Sequence, residues 1–186
     1  MHLKVFSYFI LTSFAVFSVG CSDSSTQTTQ APGNAAKNAA TSAAGSSGTD
    51  LLRSFKITAS SQTENYGPEG VFFSTPPGWH SAQPAKYPET LLVDFKVPQN
   101  LQSIGILQQE GQPARAPKAL RIEVSNDGTN WNAIAGSDDA CKPNLPDGWW
   151  DIRLPKSATT RYMKLIVFSN CGDTRLLTIR GLRINN

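Results

Sequence analysis

The sequence predicts an all-β domain, an antiparallel β-sandwich or jelly roll, over residues 51–186. Short runs rich in β-branched and aromatic residues alternate there with Pro- and Gly-rich connections, and no run has a convincing helical period. Apolar and polar side chains alternate along the run from 120 to 125, and a turn signal, Asn-Asp-Gly, follows at once. The eight expected strands span residues 55–60, 90–97, 103–108, 120–125, 131–134, 150–154, 162–168 and 176–184.

Residues 1–20 are predicted to be a lipoprotein signal peptide. Lys4 precedes an uncharged run over 5–19 that is shorter than the roughly 20 residues needed to span a bilayer. The small residue before Cys21 resembles the lipobox of bacterial lipoproteins, although Ser18 stands where that motif usually has Leu. The resemblance implies a diacylglyceryl group and an N-acyl chain, such as palmitate, on Cys21. The alternative is an ordinary signal peptide that leaves Cys21 as a free thiol.

Residues 21–50 are predicted to form a lipidated, disordered linker. After Cys21 this segment has no aromatic residue, Leu, Ile or Val, so it cannot bury enough apolar surface to offset the entropy of ordering. As a coil it would span on the order of 30 Å, and fully extended roughly 100 Å. Ser22 after the Cys, rather than Asp, resembles lipoproteins that are sorted to the outer membrane of Gram-negative bacteria. We therefore expect a domain tethered in the cell envelope.

Composition and charge exclude several classes of function. The chain has 17 Lys+Arg against 14 Asp+Glu, a net charge of +3, and no basic run, so no nucleic-acid partner is expected. His2 lies at the extreme N-terminus and leaves His80 as the only imidazole of the folded part, which excludes a multi-His metal site. Neither a glycine-rich phosphate loop nor a nucleophile elbow occurs. We therefore predict that the protein is not an enzyme.

The folded part contains six short motifs in a fixed order. They are Ile57-Thr58-Ala59-Ser60-Ser61, Gly78-Trp79-His80-Ser81, Leu91-Leu92-Val93-Asp94-Phe95, the run from Ile122 to Trp131, Arg161-Tyr162-Met163-Lys164-Leu165, and Leu182-Arg183-Ile184. Together they resemble the discoidin domain, or coagulation factor 5/8 type C domain, over residues 54–184. The resemblance implies an eight-stranded, galactose-binding-like jelly roll. Such domains are non-catalytic modules that bind glycans, lipid headgroups or proteins through loops at one end, and bacterial relatives include the family 32 carbohydrate-binding modules.

One departure from this family concerns calcium. Relatives commonly have an Ala-x-Asp-Gly segment that contributes to a structural calcium site, whereas this chain has Pro68-Glu69-Gly70 in that stretch. Calcium takes six to eight oxygen ligands, and one carboxylate with backbone carbonyls does not supply them. We therefore expect no cofactor, with structural calcium as the open alternative.

Cys141 and Cys171 remain as a pair once Cys21 is assigned to lipid. In an exported protein two Cys in one domain most simply form a disulfide, and closing a loop of about 30 residues contributes roughly 3.5–4 kcal/mol. The bridge would join the loop over 138–149 to the turn over 169–174. The alternative, a reactive thiol, lacks a neighbouring His or a cluster of cations.

Five residues are candidates for ligand contact. Adjacent residues of a strand face opposite sides, so one of Trp149 and Trp150 is expected in the core while the other offers a platform for a sugar ring; packing under the disulfide-bound loop is the alternative. The resemblance implies that an Arg of the loop over 108–115 bonds sugar hydroxyls, which points to Arg115, with Gln109 beside it. Asn170 lies in the other loop that relatives use. A solvated loop is the alternative for these polar residues.

The remaining aromatic residues are expected to be structural. Trp79 and Trp131 belong to framework motifs and are predicted to pack in the core, and His80 is predicted to hold a plain structural position. Phe72 and Phe73 are expected to pack beneath a loop, the alternative being an exposed apolar spike like that of membrane-binding relatives.

The leading hypothesis is a non-catalytic envelope lipoprotein that binds a carbohydrate through the loops at one end of its domain. The competing hypothesis is a protein–protein adaptor, or a structural subunit of an outer-membrane or envelope complex, that binds no sugar. A concave site with aromatic and polar residues favours sugar, whereas a flat apolar patch favours a protein partner.

Overall fold

The computed structural model describes residues 54–73, 78–143 and 145–185. The predicted signal peptide and linker, with Cys21, lie outside the described residues. Within them the chain forms eight strands, and every pair of neighbouring strands is antiparallel, which confirms the all-β class. The strands are β1 (Lys56–Ala59), β2 (Trp79–His80), β3 (Glu89–Leu107), β4 (Pro117–Ser125), β5 (Asn132–Gly136), β6 (Trp149–Asn170), β7 (Thr178–Ile179) and β8 (Gly181–Asn185).

Two long, bent strands build both layers of the sandwich. The first part of β3 pairs with β1 and with the last part of β6, and β4 and β5 continue this sheet in the order β1-β3-β6-β4-β5. The last part of β3 pairs with β8 and with the first part of β6. The register shifts between Asp94 and Gln99 and again between Leu101 and Ser103, where β3 bends. Each long strand therefore crosses from one layer to the other.

The number of strands agrees with the prediction, but their division differs. The runs predicted at 90–97 and 103–108 form the single strand β3, and those at 150–154 and 162–168 form the single strand β6. They stay joined because the bent segments pair with each other, Gln99 with Thr160. The run predicted at 176–184 is two strands separated by Arg180. The first of them, β7, pairs with the short β2 outside the main sheet.

Strand alternation supplies the core. Along β3, Leu91, Val93 and Phe95 are buried while the residues between them are only partly buried. The same alternation brings one face each of β4 and β6 onto this layer, with Ile122 and Leu165 fully buried as register partners. Side chains of β8 and of the short 3₁₀ helix Pro68–Phe72 complete the core.

Two of the framework aromatic residues behave differently. Trp79 is fully buried, and its indole Nε1 donates to the carbonyl of Ser61 at 2.9 Å, which confirms the core prediction. Trp131 is only half-buried, so the core prediction for it is wrong. It precedes β5 at the turn, where its Nε1 donates to the Gly128 carbonyl and its ring lies 3.7 Å from the ammonium of Lys164 on the outer face of the sheet.

The sandwich has two ends that differ in construction. At the loop end, strand ends such as Leu107 and Trp149 meet, and backbone hydrogen bonds such as that from Cys171 to Ala116 join the connecting segments. At the bend end, β3 and β6 turn from one layer to the other beside the β4–β5 turn. The loop end comprises residues 81–88, 108–116, 137–143, 145–148 and 171–177, and the bend end residues 96–100, 126–131 and 155–160. No helix within the described residues has the length and apolar character that crossing a membrane requires.

Candidate ligand-binding site

A disulfide between Cys141 and Cys171 ties two segments of the loop end together, as predicted. Their Cα atoms lie 5.6 Å apart and the two residues are separated by 30 positions in sequence. The bridge fixes the β5–β6 connection against the turn that follows β6. A small apolar hollow of about 270 Å³ lies against it, walled by both half-cystines and by the segment from Pro113 to Ala116.

A larger cleft of about 780 Å³ opens next to this hollow. One wall is the segment from Leu107 to Gly111, and the facing wall is the segment from Leu145 to Gly148. Arg180, from the break between β7 and β8, closes one side. The polar side chains on the cleft include Gln109, Glu110, Asp147 and Arg180. Carboxylate, amide and guanidinium groups thus face one concavity, an arrangement suited to a ligand with several hydroxyl groups.

Two amide atoms of the cleft wall have no partner within the described protein. Gln108 Nε2 and Gln109 Oε1 are shielded from solvent, and neither makes a hydrogen bond. An unpaired polar atom in such a position costs about 1–3 kcal/mol. Both residues line the cleft, so rotation of either amide toward it would let a ligand hydroxyl or an ordered water supply the missing bond, because a hydroxyl both donates and accepts. This places the predicted Gln109 in the candidate site and adds Gln108.

The two adjacent tryptophans divide as strand geometry requires. Trp150 is only 8 % exposed and belongs to the core, so it does not serve as a sugar platform. Trp149 is half-buried and walls an apolar hollow of about 350 Å³ together with Phe72 and Phe73. The guanidinium of Arg183 covers one face of the Trp149 ring at 4.4 Å from its centroid.

The apolar hollow and the cleft are neighbours, and we call the two together the groove. Leu107 and Arg180 line both. Phe73 is 39 % exposed and presents its aromatic ring at the rim of the hollow, so the expectation that it packs beneath a loop is wrong. Its neighbour Phe72 is half-buried and packs against Phe55. An aromatic, apolar section thus lies beside a polar section. A pyranose ring likewise has an apolar C–H face and polar hydroxyl groups at its edge.

Arg115 supports the cleft rather than facing it. Its Nε donates to the carboxylate of Asp173 at 3.1 Å, and both side chains are largely buried. Asp173 also accepts the backbone N–H groups of Leu176 and Arg175, each at 2.8 Å. The bond from Leu176, together with those from Arg175 and Arg115, lowers the pKa of Asp173 against the opposing effect of burial. The ion pair holds the 3₁₀ helix Pro113–Arg115, which borders the cleft, against the β6–β7 turn.

Asn170 makes structural hydrogen bonds within its turn, and its contact with ligand hydroxyls stays a prediction. Its Nδ2 donates to the carbonyls of Asp173 and Leu176, each at 2.8 Å, and its Oδ1 accepts the N–H of Gly172 at 3.0 Å. Both amide donors are therefore occupied within the turn. The residue organises the segment that receives the disulfide and the Arg115 ion pair.

His80 holds the structural position predicted for it. Its ring stacks on Tyr66 with centroids 4.0 Å apart, and it is 8 % exposed. Burial lowers the pKa of His80, and the positive charges of Arg115 and Arg180 lower it further. The imidazole is thus held neutral near the base of the loop end.

Arg180 and Asp147 are site residues that the sequence did not reveal. Arg180 lies inside a run whose composition predicts one continuous strand, and the only signal for a break is the Gly that follows it. Asp147 lies in a Pro-Asp-Gly turn whose position relative to the cleft depends on the disulfide-bound loop.

The segment considered for calcium does not fit the ion. It forms the 3₁₀ helix Pro68–Phe72, on which Glu69 is an exposed carboxylate. Among the described residues no group of three or more His, Cys, Asp or Glu side chains is arranged to hold a metal. Calcium requires several oxygen ligands converging on one point, and this segment does not provide them.

Comparison with known proteins identifies the family. The family model of the F5/8 type C domain matches residues 56–179, and the chain belongs to this family. A search of the curated proteins gives no match.

Several solved structures share the fold. CpGH89CBM32-5 of Clostridium perfringens, solved with GalNAc-β-1,3-galactose, is 16% identical with a TM-score of 0.59, over 73% of this chain and 98% of that one. The family 32 module of NanJ from C. perfringens, solved with galactose, is 13% identical with a TM-score of 0.58, over 72% and 95%. Chitosan-binding module 1 of a Paenibacillus sp. IK-5 chitosanase/glucanase is 20% identical with a TM-score of 0.60, over 73% and 98%. These similarities establish the galactose-binding-like β-sandwich.

Proposed function

We propose that the domain is a non-catalytic carbohydrate-binding module whose ligand lies in the groove at the loop end. The observation that carries the proposal is the pair of unpartnered amide atoms, Gln108 Nε2 and Gln109 Oε1, on two residues that line a polar cleft next to an aromatic hollow. Family membership supports it, and the neighbours with this fold include modules solved with galactose and with GalNAc-β-1,3-galactose.

Each part of the groove has a distinct role in this proposal. The amides of Gln108 and Gln109, the guanidinium of Arg180 and the carboxylate of Asp147 bond hydroxyl groups of the sugar. The C–H face of a pyranose ring packs against the apolar section that Trp149 and Phe73 border. No bond of the ligand is broken, so the function is reversible recognition.

The remaining part of the proposal concerns location. The lipobox-like segment before Cys21 supports a lipid anchor, and Ser22 after it supports the outer membrane of a Gram-negative bacterium. A linker over residues 22–50 would then let the module reach glycans of the envelope at some distance from the anchor. Metabolic labelling with a palmitate analogue, compared between the native chain and Cys21→Ala, tests the anchor by itself.

The test of sugar binding uses the full chain in detergent on a glycan array, followed by calorimetry with the best glycan. Gln109→Ala and Arg180→Ala are expected to weaken binding about tenfold each, since each removes a hydrogen bond worth roughly 1.5 kcal/mol or less. Lys156→Ala, an exposed residue of the bend end, is the control and should leave affinity unchanged.

A folded protein that binds no glycan above background would contradict the proposal. If cross-linking in cells then recovered one envelope protein in stoichiometric amount, the adaptor hypothesis would replace it. Native circular dichroism of each variant separates loss of a contact from loss of the fold.

A further inference from the structure

The outer face of the main sheet carries a second cluster of functional groups, remote from the cleft. Side chains of β1, β3, β6 and β4 that point away from the core form it, because their strand neighbours are buried. The register places Thr58, Leu92, Lys164 and Glu123 in one row across four strands. We name this surface the cationic face. It is formed by five cations and two carboxylates: Lys56, Lys96, Arg121, Arg161 and Lys164, with Asp94 and Glu123.

The net charge of the domain is concentrated on this face. Residues 51–186 contain 15 basic and 12 acidic side chains, an excess of three positive charges. The cationic face holds five of the basic and two of the acidic side chains, so its own excess is also three positive charges. The rest of the domain then has ten basic and ten acidic side chains. The five cations are scattered along the sequence from position 56 to position 164 and form no run. Strand pairing brings Lys56, Arg121 and Lys164 together, and ion pairs with Asp94 add Lys96 and Arg161.

Aromatic side chains hold three of the cations in place. The Lys164 ammonium lies 3.7 Å from the Trp131 ring centroid, and the guanidinium groups of Arg161 and Arg121 lie 4.9 and 5.3 Å from the rings of Tyr162 and Phe168. Contacts of this kind are worth about 0.5–1 kcal/mol at exposed sites. They restrain long side chains that would otherwise move freely, so less entropy is lost when an anion binds.

The two carboxylates do not neutralise the five cations. Asp94 is shared between Lys96 at 3.1 Å and Arg161 at 3.2 Å, and Glu123 pairs with Arg121 at 2.8 Å. Within the described residues neither Lys56 nor Lys164 has a carboxylate at ion-pair distance. The face therefore keeps positive charge that a ligand with regularly spaced anionic groups would complement.

We propose that the cationic face binds a linear acidic polysaccharide, one that carries carboxylate or sulfate groups along its chain, at a site separate from the cleft. Along β6 the cations follow one another from Arg161 through Lys164 to Arg121, the register partner of Ile166, in a strip about 17 Å long, because each strand residue advances about 3.4 Å. Repeating anionic groups of a polymer meet successive cations along this strip. A sugar polymer is favoured over a protein because apolar residues here are interleaved with charges, whereas the core of a protein interface is depleted of charge.

The test measures binding of the full chain to immobilised alginate, with dextran as the neutral polymer. The double variant Arg121→Gln/Lys164→Gln is expected to weaken alginate binding at least about tenfold, corresponding to 1.4 kcal/mol. The double variant Lys86→Gln/Lys156→Gln removes the same charge from exposed lysines elsewhere and is expected to change binding less than about twofold. Raising the salt to about 1 M, where the Debye length is near 3 Å, should abolish binding by the native chain.

Several results would overturn the proposal. An equal loss in both double variants would mean that net charge, not this face, attracts the polymer. Equal affinity for poly-glutamate, lost in the same variant, would assign the face to acidic proteins instead. Loss of alginate binding in Gln109→Ala would place the polymer in the cleft. The variant Lys164→Arg, which keeps the charge and the aromatic contact, should retain affinity, and its failure to do so in a folded protein would also count against the face.

Discussion

The loop end of the sandwich and the turn after β4 at the bend end are held by contacts of opposite range. At the loop end the disulfide joins residues 30 positions apart, and the ion pair of Arg115 with Asp173 joins residues 58 apart. At the bend end the turn after β4 is held by Asp127, whose carboxylate accepts the N–H groups of Thr129 and Asn130, each at 2.8 Å, and bonds the side chain of Asn130 at 2.7 Å. The loop end is thus tied by side-chain links between distant segments, whereas the turn after β4 is held within itself and strand pairing, such as that of Gln99 with Thr160, joins the other bend-end segments.

This difference explains why the groove lies where it does. Segments that are anchored at a few points and come from distant parts of the chain leave space between them and present side chains from several directions. In the turn after β4, the carboxylate of Asp127 accepts hydrogen bonds from Ser125, Thr129 and Asn130. Few of its acceptor positions are left for a ligand. Hydrogen bonds from Asn130, Thr129 and Ser125 hold the pKa of Asp127 well below its usual range.

Removing the disulfide should give the largest effect, on the stability of the domain and on the loop end that binds the ligand. Cys141→Ala with Cys171→Ala is expected to lower the free energy of unfolding by about 3.5–4 kcal/mol, because the unfolded chain loses a closed loop. Glycan affinity should fall as well, since the facing wall of the cleft is released. Urea unfolding and calorimetry measure the two effects. A variant with native stability would show that contacts other than the bridge hold this loop.

Two aspartates provide a matched comparison of the ends. Asp173→Ala is expected to lower the free energy of unfolding by about 1.5–3 kcal/mol, because it removes charge-assisted hydrogen bonds to Arg115 and to two backbone N–H groups. Glycan affinity should fall too, since the Pro113–Arg115 helix loses its side-chain tie to the β6–β7 turn and keeps only backbone hydrogen bonds to it. Asp127→Ala should destabilise less and leave affinity unchanged, because its bonds are exposed and local. Equal effects on affinity would remove the distinction between the ends.

Acidification should lower stability in two phases, with the smallest total change. The pKa of His80 is lowered from 6.5, so the unfolded chain takes up a proton below pH 6.5 that the folded chain does not, and stability falls from there downward. Burial opposes ionisation of Asp94, yet hydrogen bonds from Arg161 and Lys96 lower its pKa from 3.8 to about 2. Its contribution to the free energy of unfolding is therefore complete above pH 3.8 and is lost toward pH 2. His80→Gln should flatten the first phase of a stability–pH profile and Asp94→Asn the second. A single phase unaffected by His80→Gln would be the contrary outcome.

Much of the fold was predictable because strand alternation is a local property. Leu120, Ile122 and Val124 are buried together as their spacing indicates. The bends were not predictable in the same way. The segment from Pro98 to Asn100 has the composition of a turn, but it continues β3, since ladder pairing with Thr159 and Thr160 extends through it. Pairing between distant segments decided what local composition left ambiguous.

The candidate site was predictable only in part. Gln109 and Trp149 lie on the groove, whereas Trp150 is in the core and both Arg115 and Asn170 organise the loops. The sequence identifies residues with the right chemistry in the right loops. Whether such a residue faces the ligand or bonds its neighbours depends on partners such as Asp173, which the tertiary structure brings beside it.

The sequence by itself determined the all-β class and the family, because alternation and ordered motifs are written in the order of residues, and it predicted the pairing of Cys141 with Cys171 that the structure confirms. Tertiary structure alone decided the shape of the groove and the place of the charge. A net charge of +3 without a basic run looked dispersed along the chain. Strand register gathers its excess onto one face of the sheet, because pairing places residues that are far apart in sequence about 5 Å apart in neighbouring strands.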